Sequence, residues 1–104
     1  MKKHSLILPK CDNKGKRVDV SLALLNKIVR DASNKFGGCS VLEGSGYWVM
    51  QTGELKRDEW FRIEILSGLP DADQAIELWS DIIKRDLDQE SVLVFTENCE
   101  VKFV

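Results

Sequence analysis

Apolar residues recur every three or four positions in two long segments of the chain, and each segment is predicted to form an amphipathic helix. Asp19 or Ser21 suits the start of the first helix, because either side chain can accept a hydrogen bond from a free backbone amide. Gly37 follows its last apolar residue and is typical of a helix end. The apolar positions of this helix are Leu25, Ile28, Val29, Ala32 and Phe36.

A second helix is predicted over residues 72–87, after a break at residues 68–70 (Gly-Leu-Pro). Asp71 and Gln74 have the spacing of a capping box, with an acidic cap in place of serine or threonine. The apolar stripe of this helix consists of Ala72, Ala75, Ile76, Trp79, Ile83 and Leu87.

Four further segments have the composition or the alternation of β-strands. They cover residues 5–10, 39–51, 60–65 and 91–96. In the third strand the side chains alternate cleanly, so one face is predicted to be buried and the other open. The buried face carries Phe61, Ile63 and Ile65, and the open face carries Trp60, Arg62 and Glu64.

The second strand contains Gly-Ser-Gly at residues 44–46, which predicts either a β-bulge or a close approach of another group to the backbone. Tyr47 and Trp48 follow directly, and neighbouring strand residues point to opposite faces. At least one of these rings therefore needs a partner outside the core, and we expect the kink to aim both at a binding partner. The alternative is that Trp48 only pairs across the hairpin with Trp60.

The β-α-β-β-α-β order predicts an α+β, ferredoxin-like split βαβ fold, with an antiparallel sheet and both helices on one face. Right-handed crossovers give the strand order 4-1-3-2. The chain suits one domain over residues 1–104, with room for a short fifth strand at residues 101–104. The residues predicted for the core are Ile28, Ala32, Phe61, Ile63, Ile65, Ile76 and Ile83.

Cys11, Cys39 and Cys99 are odd in number and lack CxxC spacing, which argues against a disulfide framework or a zinc site. We therefore expect a cytoplasmic protein without a metal or cofactor. The first apolar run, residues 6–8, ends at Pro9 and is too short for a signal peptide or a membrane span.

The net charge of −2 argues against a nucleic-acid partner. Its distribution is uneven: residues 1–53 carry a balance of +5 and residues 54–104 a balance of −7, which favours self-association. Four positive charges fall within residues 10–17. This segment is interpreted as a solvated turn, with anion binding at the following helix N-terminus as the alternative.

The open face supplies the candidate site. Trp48, Trp60 and Arg62 are of the types enriched at interface hot spots, and a homodimer interface is the first interpretation. An aromatic-lined pocket for a small ligand is the second. The full candidate set is Tyr47, Trp48, Trp60, Arg62 and Glu64.

Other residues offer weaker chemistry. His4 is the only histidine and lies near the terminus, which argues against a histidine-dependent catalytic site. Cys39 follows a helix C-terminus, whose partial negative charge disfavours a reactive thiolate. It is therefore expected to be structural. Asp12 follows the first strand, where some ferredoxin-like nucleases carry an aspartate, but no basic face accompanies it. The hairpin carboxylates Glu43, Glu54, Asp58, Glu59 and Glu64 have no spacing that brings two of them together.

Two motifs carry a family resemblance: Gly-Gly-Cys-Ser at residues 37–40 and Gly-Tyr-Trp at residues 46–48, with a weaker echo at residues 87–92. With them the chain resembles uncharacterised small ferredoxin-like proteins of the Gly-Gly-x-Thr/Ser and Gly-x-Trp type, some encoded by integron cassettes or other mobile elements. The resemblance implies the fold and dimerisation, and it brings no catalytic residues.

The sequence therefore supports two hypotheses of different classes. The first is a non-enzymatic dimeric interaction module encoded by a mobile element or accessory gene. The second is a small-molecule-binding protein or enzyme, with its pocket on the open sheet face or at the dimer seam.

Overall fold

The computed structural model describes all 104 residues, and its elements follow the predicted β-α-β-β-α-β order. The strands are β1 (Lys2–Pro9), β2 (Ser40–Val49), β3 (Leu55–Ser67) and β4 (Val94–Asn98). The helices are α1 (Val18–Phe36) and α2 (Ala72–Asp86). No helix of the protein has the length and apolar character that crossing a membrane requires.

All strands pair antiparallel in one four-stranded sheet of order β2-β3-β1-β4, which is the predicted order read from the other edge. Both helices pack on one face of this sheet, so the predicted ferredoxin-like α+β fold is confirmed. The face without helices is named the open face here. It carries Ile7, Trp60, Arg62, Glu64 and Phe95.

The core lies between the sheet and the helices. All seven residues predicted for it are buried, and the strand and helix phases are therefore confirmed. Leu6 and Leu8 of β1 join them with no exposed surface. Trp79 of α2 meets Phe36 of α1 edge to face, with ring centroids 6.3 Å apart, so an aromatic pair links the two helices.

The predicted side-chain caps are wrong at both helix N-termini. Arg17 precedes α1 in a left-handed conformation (φ 59°, ψ 37°), and no side chain caps the helix. Ser21 is instead buried in the first turn, where its hydroxyl donates a 2.5 Å hydrogen bond to the Pro9 carbonyl oxygen and ties α1 to β1. Asp71 makes no capping hydrogen bond at the start of α2. Gly37 does end α1 in the left-handed conformation, as predicted.

The strand ends also differ from the prediction. β1 and β3 start earlier, at Lys2 and Leu55, whereas residues 91–93 precede β4 and residues 101–104 form no fifth strand. β4 pairs only with β1, and Asn98 already faces Lys2 at the end of that strand. The outer edge of β4 is therefore left without a strand partner.

β2 and β3 form a hairpin whose register is unbroken along the whole of β2. The β-bulge predicted as one alternative for residues 44–46 is therefore wrong, because a bulge would shift the register. The other alternative, a close approach to the backbone, is confirmed: the Trp60 ring lies over Gly44.

The hairpin extends past the helices, and the molecule is correspondingly elongated, with extents of 48 × 25 × 22 Å. Both faces of the projecting part carry large apolar side chains exposed to solvent. These are Tyr47, Trp48, Val49 and Leu55, while Val41 and Leu42 are exposed on β2 opposite Ile63 and Arg62, within the body of the sheet. β2 is also an edge strand, so the hydrogen-bonding groups along its outer edge have no strand partner.

Candidate functional site

A cleft of about 940 Å³ opens beside the end of β1, on the open face of the sheet. Its floor includes Ile7, Pro9 and Trp60. Its walls come from the hairpin at residues 56–59, the loop at residues 10–15 and the segment at residues 88–93. The volume is in the range of small-molecule sites in proteins.

The half-buried indole of Trp60 supplies the aromatic surface of the cleft. Gly44 is its direct partner on β2, and a Cβ at position 44 would overlap the six-membered part of the ring. At Gly46 a Cβ would stand 3.4 Å from the indole nitrogen, which is ordinary contact. Gly44 is therefore the residue that allows the Trp60 ring its position.

Trp48 stands at the rim of the cleft and is held by its own strand neighbours. Its Nε1 donates a 2.6 Å hydrogen bond to Asp58 Oδ2. The Nζ atom of Lys56, its direct cross-strand partner, lies 5.3 Å from the centre of its ring. Since Trp48 pairs with Lys56, the alternative of a cross-strand pair between Trp48 and Trp60 is wrong. The indole remains 46% exposed and available to a partner or ligand.

The loop at residues 10–17 is held in shape by Asp12. Its Oδ1 accepts hydrogen bonds from the backbone amides of Lys16 (2.7 Å) and Lys14 (3.0 Å). These bonds, with the Lys16 amide the largest influence and the Arg17 charge a smaller one, hold the pKa of the Asp12 carboxyl below its usual range. Asp12 is therefore committed to the loop, and anion binding at the start of α1 stays an untested alternative.

The charges that line the cleft are mostly negative. Five carboxylates face three cations, and the cations already have acidic neighbours: Lys10 pairs with Glu43, Lys56 with Asp58 and Arg57 with Glu59. Asp88 and Glu90 form no salt bridge. The residues that line the cleft thus carry more negative than positive charge, while Lys14 and Lys16 of the adjoining loop form no salt bridge.

Arg62 and Glu64 lie on the open face outside the cleft and belong to an ion network. Glu64 Oε2 contacts Arg62 Nη2 at 2.8 Å and Lys3 Nζ at 3.6 Å, and it accepts a 3.4 Å hydrogen bond from the Ser5 hydroxyl. The Arg62 guanidinium carbon lies 5.7 Å from the Phe95 ring centre. The buried Nε of Arg62 has no hydrogen-bond partner. This network places a cluster of charged side chains on the open face, beside the apolar residues Ile7 and Phe95.

Tyr47 points away from the other candidate residues. It lies on the helix side of the hairpin, beyond the helices, with its ring 6.0 Å from the guanidinium carbon of Arg57. The regular strand sends Tyr47 and Trp48 to opposite faces, so no kink turns both rings to one side, and a common partner for the two rings stays a prediction. Of the five predicted site residues, the structure brings only Trp48 and Trp60 together in the cleft.

His4 is not near a flexible end, contrary to expectation. It is buried in β1, where its Nδ1 lies 3.2 Å from Thr96 Oγ1 and 3.6 Å from Asp73 Oδ1. β1 already pairs with β3 and β4 from Lys2 onward, and this pairing fixes His4 within the sheet.

The three cysteines are free and half-buried. No group of three or more His, Cys, Asp or Glu side chains is close enough together to hold a metal ion.

Sequence reasoning missed two walls of the cleft, the loop at residues 10–15 and the segment at residues 88–93. The loop looks like an ordinary solvated turn in the sequence, and residues 91–93 look like part of the fourth strand, although β4 begins only at Val94. The signals near them were the anion-binding alternative at residues 10–17 and the echo at residues 87–92. Their contribution arises because β1 ends and β4 begins at the same end of the sheet.

Comparison with known proteins reports no matching family model and no matching curated protein. Among solved structures, the chain is similar to a phage SAM lyase in complex with S-methyl-5'-thioadenosine, with a TM-score of 0.67 and 18% identity over 92% of this chain and 79% of that one. It is also similar to the B. subtilis GlnK-ATP complex, with a TM-score of 0.59 and 17% identity over 92% of this chain and 78% of that one.

A third similar structure is the periplasmic divalent cation tolerance protein CutA from Archaeoglobus fulgidus. Its TM-score is 0.60 and its identity 7%, over 99% of this chain and 88% of that one. At such identities these likenesses concern the fold, and they agree with the ferredoxin-like arrangement described above.

Proposed function

We propose that the protein is a homodimer that binds a small, adenosine-type molecule in the cleft. The observation that carries the proposal is the cleft itself, in which an aromatic ring and several polar groups line one concavity. Such a combination is the usual design of a small-molecule site. The Trp60 ring would stack against a planar base, and the loops at the rim would face the rest of the ligand.

The ligand class is suggested by two of the similar structures. One contains S-methyl-5'-thioadenosine and the other ATP, so the same fold holds adenine compounds in two different proteins. Their low identity to this chain leaves the ligand of this protein a proposal. The resemblance to mobile-element proteins also stays a prediction, and it bears on the origin of the gene rather than on the cleft.

The charges that line the cleft narrow the class of ligand that it would bind. Asp88 and Glu90 are free to act on a ligand, whereas Lys10, Lys56 and Arg57 already face carboxylates. A triphosphate would meet lining residues that are mostly acidic and whose cations already face carboxylates. An uncharged or cationic adenosine compound is therefore favoured over ATP.

Self-association is supported by the projecting hairpin. Large apolar side chains on both of its faces have no cover within the chain, and clustered exposed apolar residues mark interaction surfaces. The second candidate function, a non-enzymatic interaction module, rests on this same observation. It differs in expecting the dimer without a ligand.

Calorimetric titration with S-methyl-5'-thioadenosine, adenosine and ATP tests the ligand. We expect the two uncharged compounds to bind more tightly than ATP. Trp60→Leu, which removes the ring and keeps an apolar side chain, should weaken binding about tenfold. Phe103→Leu is the control, since Phe103 is an exposed aromatic residue outside both the cleft and β2. Absence of binding by all three compounds would leave the interaction module as the better account.

A further inference from the structure

We infer that two copies of the chain pair edge to edge through β2, antiparallel, about a two-fold axis at Ser45. The inference rests on the self-association proposed above and names the surface that carries it. Three features of β2 support it: an unprotected edge, a mirror pattern of side chains, and the placement of its charges.

The outer edge of β2 lacks the devices that keep sheet edges from pairing. Proteins protect such edges with proline, lysine, bulges or a covering element. The ten residues of β2 include no proline or lysine, and the strand keeps an unbroken register with β3. Its large apolar side chains are all exposed, so no other element covers the strand. An edge of this kind is suited to pairing with another strand.

The side chains of β2 follow a mirror pattern around Ser45. In both directions the chain meets a glycine, then a residue with a polar group, then a large apolar residue and then a valine. An antiparallel pair centred on Ser45 would therefore match glycine with glycine, valine with valine and one large apolar residue with another. It would set Gly44 opposite Gly46 of the second copy, Glu43 opposite Tyr47, Leu42 opposite Trp48 and Val41 opposite Val49.

Opposed residues of an antiparallel pair share a face of the sheet. Leu42 and Trp48 would thus meet on the open face, and Val41 and Val49 on the helix side. Four apolar side chains that the single chain leaves in water gain a neighbour in this way. The two central glycine pairs leave the strands free to approach at the axis.

The single charge of β2 disfavours a register centred two residues away, on Glu43. A pair centred on Glu43 would place two carboxylates directly opposite each other, which is unfavourable. Centred on Ser45, Glu43 of the second copy lies beside Tyr47. The other side of that ring faces Arg57, whose guanidinium carbon is 6.0 Å from the ring centre. Each carboxylate then shares a face of the sheet with Arg57 of the other copy, with the Tyr47 ring between them.

The assembled dimer would be one continuous sheet, formed from the two four-stranded sheets. Pairing of residues of the same parity keeps all helices on one side and both open faces on the other. Both clefts would then open on one surface, and Leu42 of the second copy would lie beside Trp48 at the rim. Dimerisation would thereby complete one edge of each cleft.

Cysteine cross-linking tests the register. In a background where Cys11, Cys39 and Cys99 are replaced by serine, Ser45→Cys places two thiols opposite each other at the axis. Mild oxidation, or a short bis-maleimide, should give about tenfold more covalent dimer than Val49→Cys. Val49→Cys is the matched control on the same strand, because its two copies would lie about 27 Å apart.

Ser45→Cys removes the hydroxyl that accepts hydrogen bonds from Arg57, so a second test leaves Ser45 in place. A mixture of Val41→Cys and Val49→Cys chains should cross-link, whereas neither variant should cross-link alone. Sedimentation of the unmodified protein separates the two proposals. A monomer at micromolar concentration overturns self-association itself. A dimer without either cross-link, or a ring in which β2 meets β4 of the next copy, overturns the Ser45 register and leaves self-association standing.

Discussion

The indole ring of Trp60 lies over Gly44 of the neighbouring strand, in a position that any side chain at residue 44 would occupy. Two residues that are distant in sequence thus depend on each other. The glycine has no side chain to pack, and the tryptophan fills its place. This pair shapes the floor of the cleft and places an aromatic ring where a ligand would meet it.

Gly44→Ala should displace the Trp60 ring. Since the added methyl group overlaps the ring, we expect a loss of about 1–3 kcal/mol in the free energy of unfolding, as for overpacking elsewhere. Ligand binding in the cleft should weaken with it. Gly46→Ala is the control, because its Cβ meets the ring at ordinary contact distance. Urea unfolding of both variants checks the result, and equal effects would mean that the contact with Trp60 is not what requires glycine at residue 44.

Ile63→Ala should destabilise the fold strongly. Ile63 is 2% exposed at the centre of the core, and large-to-small changes at such sites cost about 2–5 kcal/mol. Leu78→Ala, at an exposed leucine of α2, should change stability little. Chemical denaturation measures both. A loss below about 0.5 kcal/mol for Ile63→Ala would show that its side chain does not contribute as its burial implies.

Asp12→Asn should lower stability in a pH-dependent way. The folded-state pKa of Asp12 lies below its unfolded value, so its contribution is present above about pH 4 and is lost as the pH falls through the folded pKa. The difference in melting temperature between wild type and variant should therefore be largest near neutrality and narrow in acid. Asp31→Asn, at an exposed residue of α1, is the control and should show no such narrowing. A difference that stays constant down to pH 2 would contradict the assignment.

Trp48→Ala should weaken the dimer without unfolding the chain. Trp48 is an exposed aromatic residue of the edge strand, and such residues are frequent interface hot spots. We expect the dimer dissociation constant to rise about tenfold, measured by sedimentation. If the variant keeps its dimer and its ligand binding and loses only a little stability, the functional interpretation of this hairpin is wrong.

Local periodicity was sufficient to predict the elements and the core. The helical spacing of residues 25–36 and 72–87 and the alternation of residues 60–65 each reflect a side-chain geometry set by the backbone alone. Burial follows from such a pattern wherever one face is apolar, and every predicted core residue is buried. The strand order followed from the handedness of crossovers, which is also a property of the chain itself.

The tertiary structure decided the rest, because it depends on which segments meet. Ser21 does not cap α1, because its hydroxyl donates a hydrogen bond to the Pro9 carbonyl oxygen. His4 is buried because β1 pairs along its whole length with β3, which no local sequence pattern predicts. The cleft needs three segments far apart in sequence, and its floor needs Gly44 beneath Trp60. A sequence specifies the face to which a side chain points through local geometry, whereas the neighbour it meets there is set by long-range packing.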